Sequence, residues 1–595
     1  MTANLRDYEQ VIYADFEFVA KPGEHPDVVC LSWREEPGGQ THRLWRDQLG
    51  VAPPYRIDEH VLFVCFVGNA ELHCHLALGW PLPVNVLDLN AEFRCITNGR
   101  TVPAGKGLLG ALAYYRFSDT DCKRKDAMQK RVMKGWPFTA EEREDILRYC
   151  ASDVEALHLL LACMQPELEL SVALHRGAFV AASARMEHRG VPIDMDIYPQ
   201  LADPRVWRYV RDAVVPIIDA DYGVYTKGPT GDWHFSLEHF GRYLDREGIT
   251  WPLTEKGKLS TKRKTFEDMA KGHPQLHNLR QLRHARDKMR KIKLAVGADG
   301  RNRTVLWPYK AKTSRTQPKA SQWIFSPAVW LRSLIKPAPG MALAYVDWSS
   351  MEFLIAASLS NDPMMIEFYR SDPYLSFAKR VGAAPASATK LTHEPLRERY
   401  KTGLLAIQYA IQAETLGARL GVCTFDAHEM INQHHELFAA YWRWSDDWLA
   451  HVLGTGVMWT PFGWTCRTGI TEFNARSIRN FPIQGTGADI LRVACIWATR
   501  HHLRLLGPVH DAVLIEAPLE RVEADVKLMQ EIMRRASRVV LGAHELRTDA
   551  KIILHPDRYT DRRGDDVWAE VLRLINEHGR QEQTAKEELR HGLGS

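Results

Sequence analysis

Two kinds of apolar spacing organise this chain. Residues 11–20, VIYADFEFVA, alternate as a strand does, so Asp15 and Glu17 share one face while Phe16 and Phe18 take the other. Residues 141–164, EEREDILRYCASDVEALHLLLACM, follow a helical period, with Ile146, Leu157, Leu160 and Leu161 on the buried side and Tyr149 and Asp153 one turn apart. Two short apolar runs lead into acids: LAYV ends at Asp347, and GPVHDAVLIEA holds Asp511 between two such runs, which predicts a carboxylate at the end of a strand in each case. Between them Arg397, Lys401, Leu405 and Tyr409 step by four, drifting roughly 40° per step, so two cations and a phenol ring keep to one helical stripe. In ARSIRNFPIQGTGADI (475–490), Arg476, Asn480 and Gln484 also recur every fourth residue. Pro482 is expected to interrupt any helix there, and Thr486 with Asp489 reads as a capping box opening a new helix through Trp497.

Composition adds little until it is read locally. The 595 residues suffice for several domains, and 45% hydrophobic with 25% charged residues is ordinary for a globular chain. A net charge of +4 does not by itself announce nucleic acid, but residues 280–293 (RQLRHARDKMRKIK) set seven basic residues against one acid. Alone, that segment reads as a solvated helix face. Ten cysteines without a CxxC pair point to reduced thiols, and the N-terminus lacks a cationic start followed by an apolar core, so a cytoplasmic chain is expected. Eighteen apolar residues never run together, so no membrane span is expected, and the polar end 577–595 is expected to fray.

The acids carry the chemistry. Asp15 and Glu17 repel on one strand face unless a cation neutralises them, and a phenol such as Tyr149 beside a metal-binding Asp153 can orient an attacking water. Asp347 and Asp511, able to share divalent ions and facing a helix able to grip a triphosphate, are what nucleotidyl transfer needs.

With these motifs in view, residues 1–170 resemble the proofreading 3′–5′ exonuclease domain that precedes many family A DNA polymerases. The resemblance makes Asp15 and Glu17 its first motif, Tyr149 and Asp153 its third. The second departs from the family: four positions after Asn69 stands His73 instead of Asp, leaving Glu71 as candidate metal ligand and Asp88 in reserve. From about residue 300 to 560 the chain resembles the polymerase core of the same family. By that resemblance Asp347 in Asp-Trp-Ser-Ser-Met-Glu is a metal ligand, Trp348 adds its carbonyl, and Glu352 blocks a ribose 2′-hydroxyl. Asp511 is the other ligand and His510 approaches the primer end. Ala512 replaces the family's third acid, so two essential palm carboxylates are expected. The resemblance gives Arg397 and Lys401 to the triphosphate and Tyr409 to the templating base. Leu405 stands where an aromatic ring usually contacts the sugar, which predicts altered discrimination against dideoxynucleotides, and Ala410 replaces a glycine. Tyr374 stands where a phosphate-binding histidine is common. Arg315 is expected at the minor groove of the primer terminus, with Arg476, Asn480 and Gln484 as further DNA contacts. The basic segment falls where the thumb clamps duplex DNA, through Arg283, Arg286, Arg290 and Lys291.

The expected architecture is α/β and α+β multidomain: a ribonuclease H-like exonuclease (1–170), a mainly helical thumb (171–300), palm (301–372), fingers (373–473), and the second part of the palm with a tail (474–595). Implied partners are primer–template DNA, deoxynucleotides and a single-stranded 3′ end, with room for a processivity or replisome partner. Implied cofactors are two Mg²⁺ ions per active site, Mn²⁺ being able to substitute. With Asp15 so near the start, no flap-nuclease domain is expected ahead of it, and small size with proofreading resembles the bacteriophage branch of the family, in a host bacterial cytoplasm. The alternative is an exonuclease whose C-terminal half binds DNA without polymerising. A single-subunit RNA polymerase is disfavoured by Glu352, and a non-catalytic scaffold would not need acids at both ends.

Overall fold

A computed structural model describes residues 4–117, 122–229, 231–288, 292–326, 328–469 and 474–592. The N-terminal part is built on a five-stranded sheet of β1 (Gln10–Val19), β2 (Asp27–Glu36), β3 (Gln40–Trp45), β4 (Val61–Cys65) and β5 (Asn85–Asp88), in the order β3-β2-β1-β4-β5. β1 pairs antiparallel with β2 and parallel with β4, so it lies in the middle with both faces covered. That is why Ile12, Tyr13 and Ala14 are all buried, where alternation alone would have exposed Tyr13. Ile12, Ala14 and Phe16 pack toward helix α1 (Gly68–Ala77), whereas Tyr13 packs with Leu157, Leu160 and Leu161 of helix α3 (Ala140–Met164). Asp15 and Glu17 continue the Tyr13 face and therefore meet α3. Helix α2 (Leu89–Ile96) follows β5, and α4 (Leu170–Arg189) packs on β5 and α1 at one side and on the C-terminal half at the other.

The central sheet of the C-terminal half has β6 (Met341–Trp348) between β8 (Ala512–Pro518) and β9 (Thr548–Leu554), with β7 (Arg504–Val509) outside β8. All its pairings are antiparallel. β7 and β8 are joined by only His510 and Asp511, a two-residue turn in which His510 takes a positive φ of 57°. Residues 192–300 are mainly helical, including α5 (Pro204–Asp219) and α6 (His277–Lys288). The segment between the halves of the sheet carries α7 (Met351–Ser360), α8 (Pro373–Arg380), α9 (Glu394–Gln408) and α10 (Ala439–Thr455), and α11 (Ala475–Arg500) and α12 (Val522–Leu541) flank the sheet.

Two expectations fail here. Pro482 does not interrupt α11, a helix of 26 residues whose N-cap is Asn474, its side chain accepting from Ser477 N–H. Proline withholds the N–H that Ile478 C=O would accept, and the Trp448 indole of α10 donates to that carbonyl instead, at 3.0 Å. Thr486 and Asp489 consequently sit mid-helix, and Asp489 accepts from Arg492 and from Phe462 N–H rather than capping. The polar terminus does not fray at 577: helix α13 (Asp565–Gly592) continues to Gly592, burying Val571, Leu574 and Ile575 as it packs on α5.

Candidate active sites

The first acidic site lies where β1 faces α3. Carboxylate oxygens of Asp15, Glu17 and Asp153 fall within 4.8 Å of one another. Burial, then Asp15, raises the Glu17 carboxyl well above the usual carboxylate range. Burial also raises the Tyr149 phenol, with Asp153 and Glu17 adding to it, so this hydroxyl stays protonated beside the acids. Glu71 enters from α1: its Oε2 accepts from Phe16 N–H at 2.9 Å, and burial with the nearby Asp15 pushes its carboxyl up as well. Asp88 does something else. It caps α2, accepting from Asn90 N–H at 2.9 Å and from Val67 N–H at 3.1 Å. Of the two candidates, Glu71 is the acid placed at the site. Asn69 and His73, one turn apart, lie on the side of α1 away from Glu71, Asn69 donating to Glu187.

The second site forms at one end of the central sheet. Asp347 is cross-strand partner to Ala512 on one side and to Asp549 on the other, and Trp348 N–H donates to Asp511 C=O at 3.4 Å. Residues so paired share a face. Burial first, then Asp511, raises the Asp347 carboxyl to about 7, while Lys401 opposes the rise. Arg315 Nη2 lies 3.7 Å from Glu352 Oε1 and 3.9 Å from Asp511 Oδ1. The arginine is aimed by α11: Arg492 donates to Ser314 Oγ at 3.0 Å and pairs with Asp489, holding the residue before Arg315 at a φ of 62°. Asp549 was missed by sequence reasoning, since nothing in LRTDAKIIL marks it; Ser349 donates to it at 2.6 Å.

The helix α9 stripe forms, with Tyr409 just beyond its last turn. Arg397 is buried and donates to Asp372 and Glu398, and its guanidinium lies 5.4 Å from the Tyr374 ring centre. Lys401 is more open, 3.8 Å from Glu398 Oε2. Leu405 is half-buried, and Tyr409 faces Glu352 and Arg315. Ala410 holds a positive φ of 53°, which costs alanine about 1 kcal/mol that glycine would not incur. Tyr374 is 1% exposed, its ring packed beside the Arg397 guanidinium.

Because α11 is unbroken, Arg476, Asn480 and Gln484 lie on one face of it, and Arg476 donates to Ala410 C=O at 3.1 Å. In the basic segment the described arginines have partners within the chain. The Arg283 guanidinium stacks over Phe235 and Phe266 at 4.2 and 4.1 Å, and Arg286 pairs with Asp212 and donates to Trp233 C=O. Both turn inward because local aromatic and acidic partners outcompete solvent, and a grip on duplex DNA would require them to exchange those partners. Arg290 and Lys291 lie outside the described side chains. Among the described residues no helix is long and apolar enough to cross a membrane.

A family model described as DNA polymerase family A matches residues 243–552. The thermostable DNA polymerase I of Thermus aquaticus is 28% identical over 209 residues, 33% of this chain and 25% of that protein. DNA polymerase I of Aquifex aeolicus is 24% identical over 390 residues, 63% of this chain and 65% of that protein. The DNA polymerase of Mycobacterium phage D29 is 23% identical over 397 residues, 63% of this chain and 61% of that protein. The matches thus span less than two thirds of these relatives. A solved structure, the POL domain of Pol1 from M. smegmatis in complex with DNA primer-template and dNTP, superposes with a TM-score of 0.63 at 20% identity over 91% of this chain and 94% of that chain, a likeness of fold.

Proposed function

The chain belongs to DNA polymerase family A, and on that footing we propose that it extends a primer 3′-hydroxyl on a DNA template and trims 3′ ends at a separate site. The observation that carries the reading is the meeting of Asp347 and Asp511 at one sheet end, with Lys401 and Arg315 facing them.

The donor sets suit divalent cations. Asp347, buried and pushed up to about 7 beside Asp511, is a carboxyl that a hard cation would ionise, and both sites offer only oxygen. Asp347, Asp511 and the Trp348 carbonyl would hold such ions in the palm; Asp15, Glu17, Glu71 and Asp153 would hold them in the exonuclease. Two Mg²⁺ ions would there lower the pKa of the attacking oxygen and neutralise developing phosphate charge. The chain's own part is positioning. Lys401 meets the triphosphate, and Arg397 joins it by exchanging Asp372 and Glu398 for phosphate oxygens. Glu352 and Tyr409 wall off the space a 2′-hydroxyl would need. Arg315 leaves its two acids for the minor-groove edge of the primer terminus, where acceptors occur on every base pair. In the N-terminal site the protonated Tyr149 phenol donates to the attacking water. The sheet order β3-β2-β1-β4-β5 supports a ribonuclease H-like exonuclease, and the likeness to a mycobacteriophage polymerase supports a role in copying phage DNA.

A labelled primer–template incubated with Mg²⁺ tests both activities. Extension with the four deoxynucleotides and 3′ shortening without them are expected. Ala512, which leaves one flank of Asp347 without an acid, favours one rival, a nuclease with a silent polymerase half. Shortening without extension would establish that rival.

A further inference from the structure

Away from both acidic sites, three histidines from separate segments converge. His25 lies in the loop between β1 and β2, His73 on α1, and His188 in the last turn of α4. Ring nitrogens of all three fall within 4.8 Å of one another. His25 Nδ1 and His73 Nε2 are 3.3 Å apart, the His25 and His188 ring centres 4.2 Å, and those of His73 and His188 5.4 Å. Among the described residues, Nδ1 of His188 is buried without a hydrogen-bond partner. A buried imidazole nitrogen left unpaired is costly, and packing alone would be served better by an apolar side chain.

The electrostatics also fit a ligand set. The nearest fixed cation, Arg303, is tied to Asp299 through both carboxylate oxygens, at 2.7 and 2.5 Å, and Glu24 adds negative charge near His25. A cavity of about 450 Å³ opens beside His73, bordered by Glu24, Glu187, Arg303 and Lys319, and gives solvent a way in.

We propose that His25, His73 and His188 bind one late first-row transition-metal cation of the Zn²⁺ class through three imidazole nitrogens, leaving a further position for water. Nitrogen ligands select Zn²⁺ and its neighbours over Mg²⁺. Bound there, the cation fastens the β1–β2 loop and α1 to the end of α4. Gly23 in that loop already sits so close to the following half that an added Cβ would lie 2.3 Å from the Val296 carbonyl carbon. Helix α1 presents Glu71 to the exonuclease acids and His73 to this cluster. Fixing α1 thus also fixes Glu71.

The test uses the full chain stripped with chelator, titrated with Co²⁺, and separately loaded with Zn²⁺, dialysed and analysed for metal. Expected are a d–d absorption band, one retained Zn²⁺ per chain, and a Zn²⁺-dependent rise in Tm. His25→Gln, a loop position whose loss spares the core, and His188→Gln should remove the band, the retained metal and the rise. Asp15→Ala with Asp153→Ala should keep them, which separates this site from the acidic one. A featureless Co²⁺ spectrum with no retained Zn²⁺, or retention undiminished in both histidine variants, overturns the proposal.

Discussion

Asp347 and Asp511 lie more than 160 positions apart in sequence and meet because β6 pairs with β8 immediately after the turn that carries Asp511. Replacing either by alanine should abolish synthesis and leave 3′ shortening intact; normal extension by either purified variant would sink the palm assignment. Asp15→Ala should do the reverse, and a persisting 3′ ladder would contradict it. Asp549 is the acid that the sheet adds on the flank of Asp347 opposite Ala512. If it shares in holding charge there, Asp549→Asn should slow single-nucleotide incorporation by about tenfold, the equivalent of about 1.4 kcal/mol in the transition state. Rates equal to the parent chain would make it a surface acid only. The stripe and the strand-end acids were legible in sequence because each depends on a local period. Asp549 was not, because its place depends on which strand lies beside β6.

Helix α11 shows how one element can overrule a local rule. The Trp448 indole stands in for the N–H that Pro482 lacks. Trp448→Phe should cost about 1–2 kcal/mol by leaving the Ile478 carbonyl unsatisfied. In a Pro482→Ala background the same change should cost less, since alanine restores the helical donor, and equal costs in a denaturant-melt cycle would refute the substitution of one donor for another. The helix Thr424–Leu437 holds a second buried device. His434 is 0% exposed and accepts from the Trp442 indole at 3.0 Å, and burial lowers it to about 3. A neutral buried imidazole contributes stability that is full above its unfolded pKa of about 6.5 and is lost as pH falls toward 3, amounting to about 2 kcal/mol by pH 5. His434→Gln should flatten the stability profile between pH 6.5 and 5 by that amount. An unchanged slope would exclude the histidine as its source.

The two halves of the molecule are joined by backbone as much as by side chains. Asn98 Nδ2 donates to Lys312 C=O at 2.7 Å and to Thr465 C=O at 2.8 Å, and Arg467 N–H donates to Asn98 C=O at 2.9 Å. Next to it Gly99, at a φ of 81°, approaches so closely that a Cβ would lie 1.7 Å from Arg467 O. Gly99→Val should therefore separate the N-terminal sheet from the hairpin that carries Arg467. The expected outcome is faster proteolysis between the halves and a changed ratio of 3′ shortening to extension, each site remaining active on its own substrate. An unaltered ratio and digestion pattern would mean that the contact carries no coupling.

Local periodicity determined a good deal: the β1 strand with its two same-face acids, the α3 helix with Tyr149 and Asp153, the carboxylates at two strand ends, and the cationic stripe of α9. Each is a statement about residues a few positions apart, where backbone geometry alone fixes which side chains share a face. The folded chain settled the rest. It set Glu71 rather than Asp88 beside Asp15, turned Arg283 and Arg286 inward, carried α11 through Pro482, placed Asp549 beside Asp347, and gathered His25, His73 and His188. In every one of those cases the deciding partner is distant in sequence: an adjacent strand of the sheet, an indole on another helix, a pair of rings in another segment. Burial and hydrogen-bond satisfaction choose among such partners only after the chain has closed on itself, and no local period records that choice.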